Sequence, residues 1–410
     1  MKRKESARVL FATLLSIGLG ATNAKAIVPN CSTVTTVTES CGWVISTPGC
    51  YKLQNSLTAT TNAGDCIQIN SSNVYLDLNT QTITGTGSTS TGNGVHVLAA
   101  TTPKGVAITN VAVQGGSISG FDTGVLVGNT NSTPNVAPFP TKVRLDNIVA
   151  NGISNNQAGS NGFSLINAKL AQLSGLYSNG SYSGGVSQGA LDGLSIVGGS
   201  GNHVSNSTFT QNYYGVAVGL SNGNVFSGVT ATFNLVGFLL SNHASDNHID
   251  SPSADFNVTS SDFVDPGAAI IVRWASNGNT ILGGHANGNG GYGVWITQAS
   301  ANEISGIDLS KNGNAGIYLG CDGPTTGTCT TGDSSLPPGS NGNGIDANIN
   351  ITTTANPGYG IAIDKGNLNN TVVGNTSSAN GTLDEYDGNK CGVNNWFADT
   401  FGTSNAACVH

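Results

Sequence analysis

Residues 202–218 read NHVSNSTFTQNYYGVAV, and residues 224–240 read NVFSGVTATFNLVGFLL. Laid over one another, the two segments share an opening asparagine, a second asparagine ten residues on, a glycine three residues later and then a short apolar run. The frame recurs. Asn202, Asn224, Asn247, Asn279 and Asn302 open five segments, and Asn212, Asn234, Asn257, Asn289 and Asn312 follow ten residues behind them. Gly215, Gly237, Gly293 and Gly316 come three or four residues after that. Three of the four steps between openers are 22 or 23 residues, and the step from Asn247 to Asn279 is 32, which marks an insertion. A period of this size with short β-rich runs means a solenoid in which each coil buries its apolar face on its neighbours. A stacked amide can donate and accept at once, so the asparagines predict a ladder at a turn. The glycine beside them is expected to supply a positive φ. The fold expected is all-β: a single-stranded right-handed parallel β-helix of about a dozen coils.

Composition limits the function classes. Only 9% of residues are charged while 38% are hydrophobic, the opposite of a disordered chain. The 58 glycines among 410 residues suit many tight turns. Lys2, Arg3, Lys4 and Arg8, then the apolar stretch from Val9 to Gly20, then Ala24, Lys25 and Ala26 read as a secretory leader over residues 1–26, cleaved after Ala26. The apolar stretch is too short to span a bilayer. Losing the leader removes five basic residues and Glu5, which moves the formal charge from −8 to −12. Such a surface argues against nucleic acid and against an anionic membrane. A secreted or periplasmic protein is expected.

The repeat runs through most of the chain. Residues 27–66 are read as an N-terminal cap segment, 67–383 as the solenoid and 384–410 as a C-terminal cap closing the open end. Export makes disulfides expected. Cys31, Cys41, Cys50 and Cys66 cluster before the repeats, with their pairing open; Cys321 and Cys329 bracket a loop, and Cys391 and Cys408 bracket the tail.

Three further stretches carry a resemblance. Residues 47–51 (TPGCY), 74–83 (VYLDLNTQTI) and 387–391 with 395–401 (DGNKC and NWFADTF) resemble secreted bacterial right-handed β-helix repeat proteins of the wider pectate-lyase-like group of carbohydrate-binding and sugar-hydrolase repeats. The resemblance implies the fold over nearly all of residues 45–405. It does not select an activity, because the group holds lyases, epimerases, hydrolases and proteins without known activity.

Strand alternation places the chemistry. If Val216 and Val218 point inward, the outward rows read Ala217, Leu239, Ile271, Trp295, Tyr318, Ala362, then Gly219, Ser241, Arg273, Thr297, Gly320, Asp364, then Ser221, His243, Ala275, Ala299, Asp322, Gly366. Arg273, Trp295 and Tyr318 then share one exposed face with His243 and Asp322. Aromatic faces suit sugar rings, and an arginine fork suits a carboxylate. Trp295, Tyr318, Arg273, Asp322 and Asp364 are the expected substrate-binding residues. The ordinary alternative is that the rings are only packing. Asp246, Asp250, Asp255, Asp262 and Asp265 form the densest acidic group before the tail, with His243 and His248 just before and Arg273 after. Asp246, Asp250 and Asp255 could hold Ca²⁺ through oxygen ligands, beside Arg273, His243, Tyr318, Asp262 and Asp265 as catalytic candidates. The alternative is a solvated loop. No polygalacturonase-like acidic trio is present, and residues 283–285 (GGH) do not supply one; Asp265-Pro266-Gly267 matches only the first two residues of the Asp-Pro-His of alginate epimerases.

The function expected is a secreted carbohydrate-active β-helix acting on polysaccharide, with a lyase or epimerase on uronate units ahead of a glycoside hydrolase. The competing class is a non-catalytic glycan-binding or adhesive solenoid. Calcium is the one cofactor suggested.

Overall fold

The computed structural model describes residues 31–409 except 32, 38–39, 88, 102–104, 131, 152–159, 181–191, 260–266, 321–338, 347, 349–350 and 353–355. Every regular element among them is a strand, and every pairing between strands is parallel. One sheet holds thirteen strands, running from Trp43–Ile45 through Tyr214–Gly219, Tyr292–Thr297 and Tyr359–Ile363 to Leu383–Asp387. Each strand pairs with the equivalent strand one coil away. A nineteen-stranded sheet makes the other sides, and a three-stranded sheet extends it near the C-terminal end. The long strands Thr109–Ser119 and Thr141–Asn151 bend round a corner, which is why two sides join into one sheet. This is a right-handed parallel β-helix.

The inward columns explain why the apolar runs are short. Val216, Phe238, Ile270, Val294, Ile317 and Ile361 stack rung on rung, as do Val218, Leu240, Val272, Ile296, Leu319 and Ile363. All are at most 1% exposed. Each rung gives the coil interior only two or three large side chains, so no coil has a core of its own.

The asparagines form two long ladders. In the first, Asn202, Asn224, Asn247, Asn279, Asn302, Asn343, Asn370 and Asn394 each donate a side-chain or main-chain N–H to the Oδ1 of the next. In the second, the order is Asn212, Asn234, Asn257, Asn289, Asn312, Asn356 and Asn380. A shorter third ladder passes from Asn348 to Asn375. All three run in one direction, with donors aimed toward the C-terminal end. All three stop on a carboxylate: Asn394 donates to Asp387, Asn380 to Asp384 and Asn375 to Asp399. The last rung needs an acceptor and no further donor, which is what a carboxylate offers.

The turn glycines act differently from the expectation. Gly215 and Gly237 are not in the left-handed region. They are required by crowding: a Cβ on Gly215 would lie 2.7 Å from Gly237 O and 2.8 Å from Asn234 Nδ2. Positive φ falls instead on residues just before ladder asparagines, among them Gln211, Phe233, Phe256, Gly288 and Lys311.

The ends are cross-linked. The four early cysteines pair as Cys31–Cys50 and Cys41–Cys66, and Cys391 pairs with Cys408. Cys321 and Cys329 lie outside the described residues. Loops of this length, when closed, stabilise by about 3 kcal/mol each in the chain-entropy account.

Asn289 tests the ladder directly. It is 1% exposed, accepts from the main chain and side chain of Asn257, and donates from both to Asn312. Asn289→Ala orphans two buried donors and should cost about 2–3 kcal/mol in urea unfolding. A loss under about 0.5 kcal/mol would mean that water replaces the amide.

Candidate functional site

The register expected from sequence holds on the outer face of the thirteen-stranded sheet. Ala217, Leu239, Ile271, Trp295, Tyr318 and Ala362 are successive partners in one row, and the row ends at Tyr386. Its middle is not an open groove. Leu235, Val236, Leu239, Ala268, Ile271 and Trp295 form a second apolar cluster outside the coil, with Tyr213, Tyr214, Tyr292 and Tyr318 packed against it. Trp295 is 3% exposed and Thr297 is fully buried. Trp295 is therefore part of a packed layer and not the exposed platform the sequence suggested.

The face opens toward its C-terminal end, where tyrosine and small residues alternate in two adjacent rows. Tyr292, Ala315 and Tyr359 follow one another in the first row, and Tyr318, Ala362 and Tyr386 in the second. Each alanine leaves room for the tyrosines beside it. Tyr292 and Tyr318 stack at 4.9 Å between ring centroids with an 8° interplanar angle. Tyr359 and Tyr386 lie 5.3 Å apart, tilted by 40°. All four rings are partly exposed.

Asp364 sits among them. It stands two residues beyond Ala362, with Gly320 on the rung before and Gly388 on the rung after. The Tyr318 ring lies across Gly320, so that any Cβ at 320 would overlap it, and its hydroxyl donates to Asp364 Oδ2 at 2.5 Å. The Tyr386 hydroxyl likewise reaches over Gly388, 3.3 Å from where a Cβ would stand. Two glycines thus let two tyrosines lie down on either side of one carboxylate. Burial and then Asp364 hold Tyr318 and Tyr292 above the ordinary phenol range, and the same two causes raise Tyr386. The phenols stay protonated, which disfavours Tyr318 as a catalytic base.

The remaining sequence candidates are scattered. Arg273 is 8% exposed with its guanidinium carbon 4.1 Å over the Trp274 ring. It belongs to the same row as Asp364 but three rungs away, roughly 14 Å at the rung spacing. His243 is exposed on the turn after Val236–Ser241 and donates its main-chain N–H to Trp274 O. Asp262, Asp265 and Asp322 lie outside the described residues. The three expected calcium ligands occupy different places round one coil. Asp246 lies against Gly278, Asp250 accepts from Ser251, and Asp255 pairs with His285 at 2.6 Å and accepts from Asn287 N. Among the described residues no group of three or more His, Cys, Asp or Glu side chains could hold a metal ion.

Sequence reading missed Tyr292, Tyr359, Tyr386, Trp274 and Asp192. Asp192 lies on the same outer face, opposite Tyr214 in register. Burial pushes its carboxyl up to about 7, against a hydrogen bond from Ser195.

No family model matches the sequence, and no curated protein matches it. Solved structures do. The A-module of mannuronan C-5 epimerase AlgE6 from Azotobacter vinelandii superposes with a TM-score of 0.55 at 17% identity, over 88% of this chain and 91% of that one. A mutant of the periplasmic alginate epimerase AlgG gives 0.53 at 11%, over 84% and 80%. The bacteriophage phi29 gene product 12 in its pre-mature form gives 0.54 at 13%, over 90% of this chain and 51% of that one. The likeness is one of fold. The right-handed parallel β-helix is shared by all three.

Proposed function

We propose that this chain is an exported carbohydrate-active β-helix protein that binds polysaccharide along the outer face of its thirteen-stranded sheet. The observation that carries this reading is the cage of Tyr292, Tyr318, Tyr359 and Tyr386 around Asp364. Partly exposed rings with protonated hydroxyls give flat apolar faces and polar handles together, the combination that sugar rings need. Rungs follow at about 4.8 Å, so a glycan lying along the solenoid axis meets a new ring on each coil. Three disulfides fit an oxidising compartment, and the basic and apolar opening of the sequence supports export. Two of the structural neighbours are named as epimerases of alginate or mannuronan, which supports a glycan as partner. Among the described residues no helix is long and apolar enough to cross a membrane.

A catalytic reading, a uronate lyase or epimerase before a hydrolase, has one observation in its favour. Asp192, with its carboxyl near neutrality, is suited to general acid–base work and faces the same side as the cage, six rungs or roughly 29 Å from Asp364. Affinity electrophoresis through a panel of polysaccharides, with parallel assays for unsaturated uronates and for reducing ends, tests both readings. Gly320→Ala should displace Tyr318 and weaken retardation by at least about threefold, with the melting midpoint nearly unchanged. Retardation without product supports binding alone. Product that disappears in Asp192→Asn supports catalysis. No retardation by any polysaccharide would overturn the proposal.

A further inference from the structure

We infer that the cage around Asp364 selects an amine-bearing sugar, so that the polysaccharide it takes is a cationic one built from hexosamine units with free amino groups. This rests on the glycan-binding reading and names the substrate class of that same site.

The sign of the field at the cage favours a cation. The faces of aromatic rings are negative, and a cation within about 6 Å of such a face is attracted to it. Four tyrosines converge here, two stacked at 4.9 Å and two tilted at 5.3 Å. A carboxylate lies between them. Asp364 Oδ2 accepts a hydrogen bond from the Tyr318 hydroxyl, while Oδ1 accepts none from any described residue and the side chain is partly exposed. One oxygen is thus fixed and the other is open as an acceptor. The charged groups that act on the tyrosines are acidic: Asp364 on Tyr292, Tyr318 and Tyr386, and Asp387 on Tyr386. Lys365, next in the chain, is exposed to solvent. Arg273, the cation that would be needed for a uronate, stands three rungs off on the Trp274 ring.

A ring of π faces closed by a carboxylate is the arrangement that recognises ammonium groups. A uronate would bring a second carboxylate against Asp364, and Lys365, the cation beside it in the chain, is exposed to solvent. A neutral sugar would stack but leave the open Oδ1 with only a hydroxyl donor. An ammonium donates to Oδ1 and rests on the ring faces together. The protein as a whole has a formal charge of −8, which attracts a polycation and repels a polyanion. The two glycines give the site its shape. Without Gly320 and Gly388 the Tyr318 and Tyr386 rings would stand up from the sheet and no enclosure would form.

The test compares three hexamers on the full chain by calorimetry, at a mildly acidic pH that keeps the amines charged: glucosamine, N-acetylglucosamine and mannuronate. The glucosamine hexamer should bind roughly tenfold or more tighter than the N-acetylated one, with mannuronate weakest. Raising the salt to 0.5 M should weaken the glucosamine hexamer selectively. Asp364→Asn should abolish the preference for the free amine, and Tyr359→Ala should weaken every hexamer. If mannuronate or the acetylated hexamer binds the unaltered protein as tightly as glucosamine, the inference is overturned and the glycan reading survives. Should no hexamer bind, or should Tyr359→Ala leave all binding as it was, the glycan reading itself falls. The salt comparison needs no variant, so a misfolded Asp364→Asn leaves the question decidable.

Discussion

Trp295→Ala should lower stability by about 3–5 kcal/mol, although its side chain points away from the coil interior. The ring is 3% exposed, lies 5.7 Å from the Tyr292 centroid and belongs to the second apolar layer with Leu239 and Ile271. Its removal leaves a void between that layer and Tyr292. The indole N–H is buried with no hydrogen-bond partner among the described residues. Trp295→Phe loses only volume and should cost far less, about 1–2 kcal/mol. Urea unfolding of the two variants checks this. Equal small losses in both, combined with weakened glycan binding, would show that the ring is an open sugar platform after all.

A pH profile should show an effect of similar size from Glu385. This residue occupies the inward column of Ile317 and Ile361 in the last rung, is fully buried, and has no hydrogen-bond partner for either carboxylate oxygen among the described residues. Burial, and then Asp399 and Asp384, push it from 4.5 up to about 8. The folded state therefore holds a proton that the unfolded chain releases near 4.5. The resulting stability is fully present below about 4.5, declines as pH rises, and is gone above about 8, a change on the order of 5 kcal/mol by linkage. Asp192, raised from 3.8 to about 7, adds a slope of the same sign. Asp65 and Asp384 work the other way. Hydrogen bonds hold both below the ordinary 3.8, so their contribution is present above that value and fades as pH falls further. Maximum stability should lie in the mildly acidic range. Glu385→Gln should remove the part of the alkaline decline that belongs to Glu385 and leave that of Asp192. A variant whose melting profile between pH 5 and 9 matches the unaltered protein would show that Glu385 ionises freely.

The period and register were legible in the sequence because asparagine and glycine recur at fixed offsets and strands alternate strictly. The state of the outer face was not. Alternation says which side chains leave the coil, and nothing in it distinguishes an outward Trp295 in a packed layer from one in water. Asp246, Asp250 and Asp255 are close in sequence and apart in space for a reason special to solenoids. Residues close in sequence are spread round the perimeter, and neighbours in space lie one period apart. The cage obeys that rule: Tyr292, Tyr318, Tyr359 and Tyr386 are separated by 26, 41 and 27 residues. The outward rows read from the sequence reach Ala362 and Asp364 but leave out Tyr359, at the start of its strand, and Tyr386, one coil beyond the last rung they include.

The one-way run of the asparagine ladders has a consequence for how such a molecule can change length. Along each run a rung presents its Oδ1 to the coil before it and at least one N–H to the coil after it. A duplicated coil of 22 or 23 residues placed anywhere inside the run therefore meets matching partners on both sides. The finishing carboxylates Asp384, Asp387 and Asp399 stay where they are and still meet the last amides. Growth by whole coils leaves the ends untouched, whereas a cut inside the run strands amide protons in a dry interior. A chain built this way is modular in its middle and fixed at its terminus.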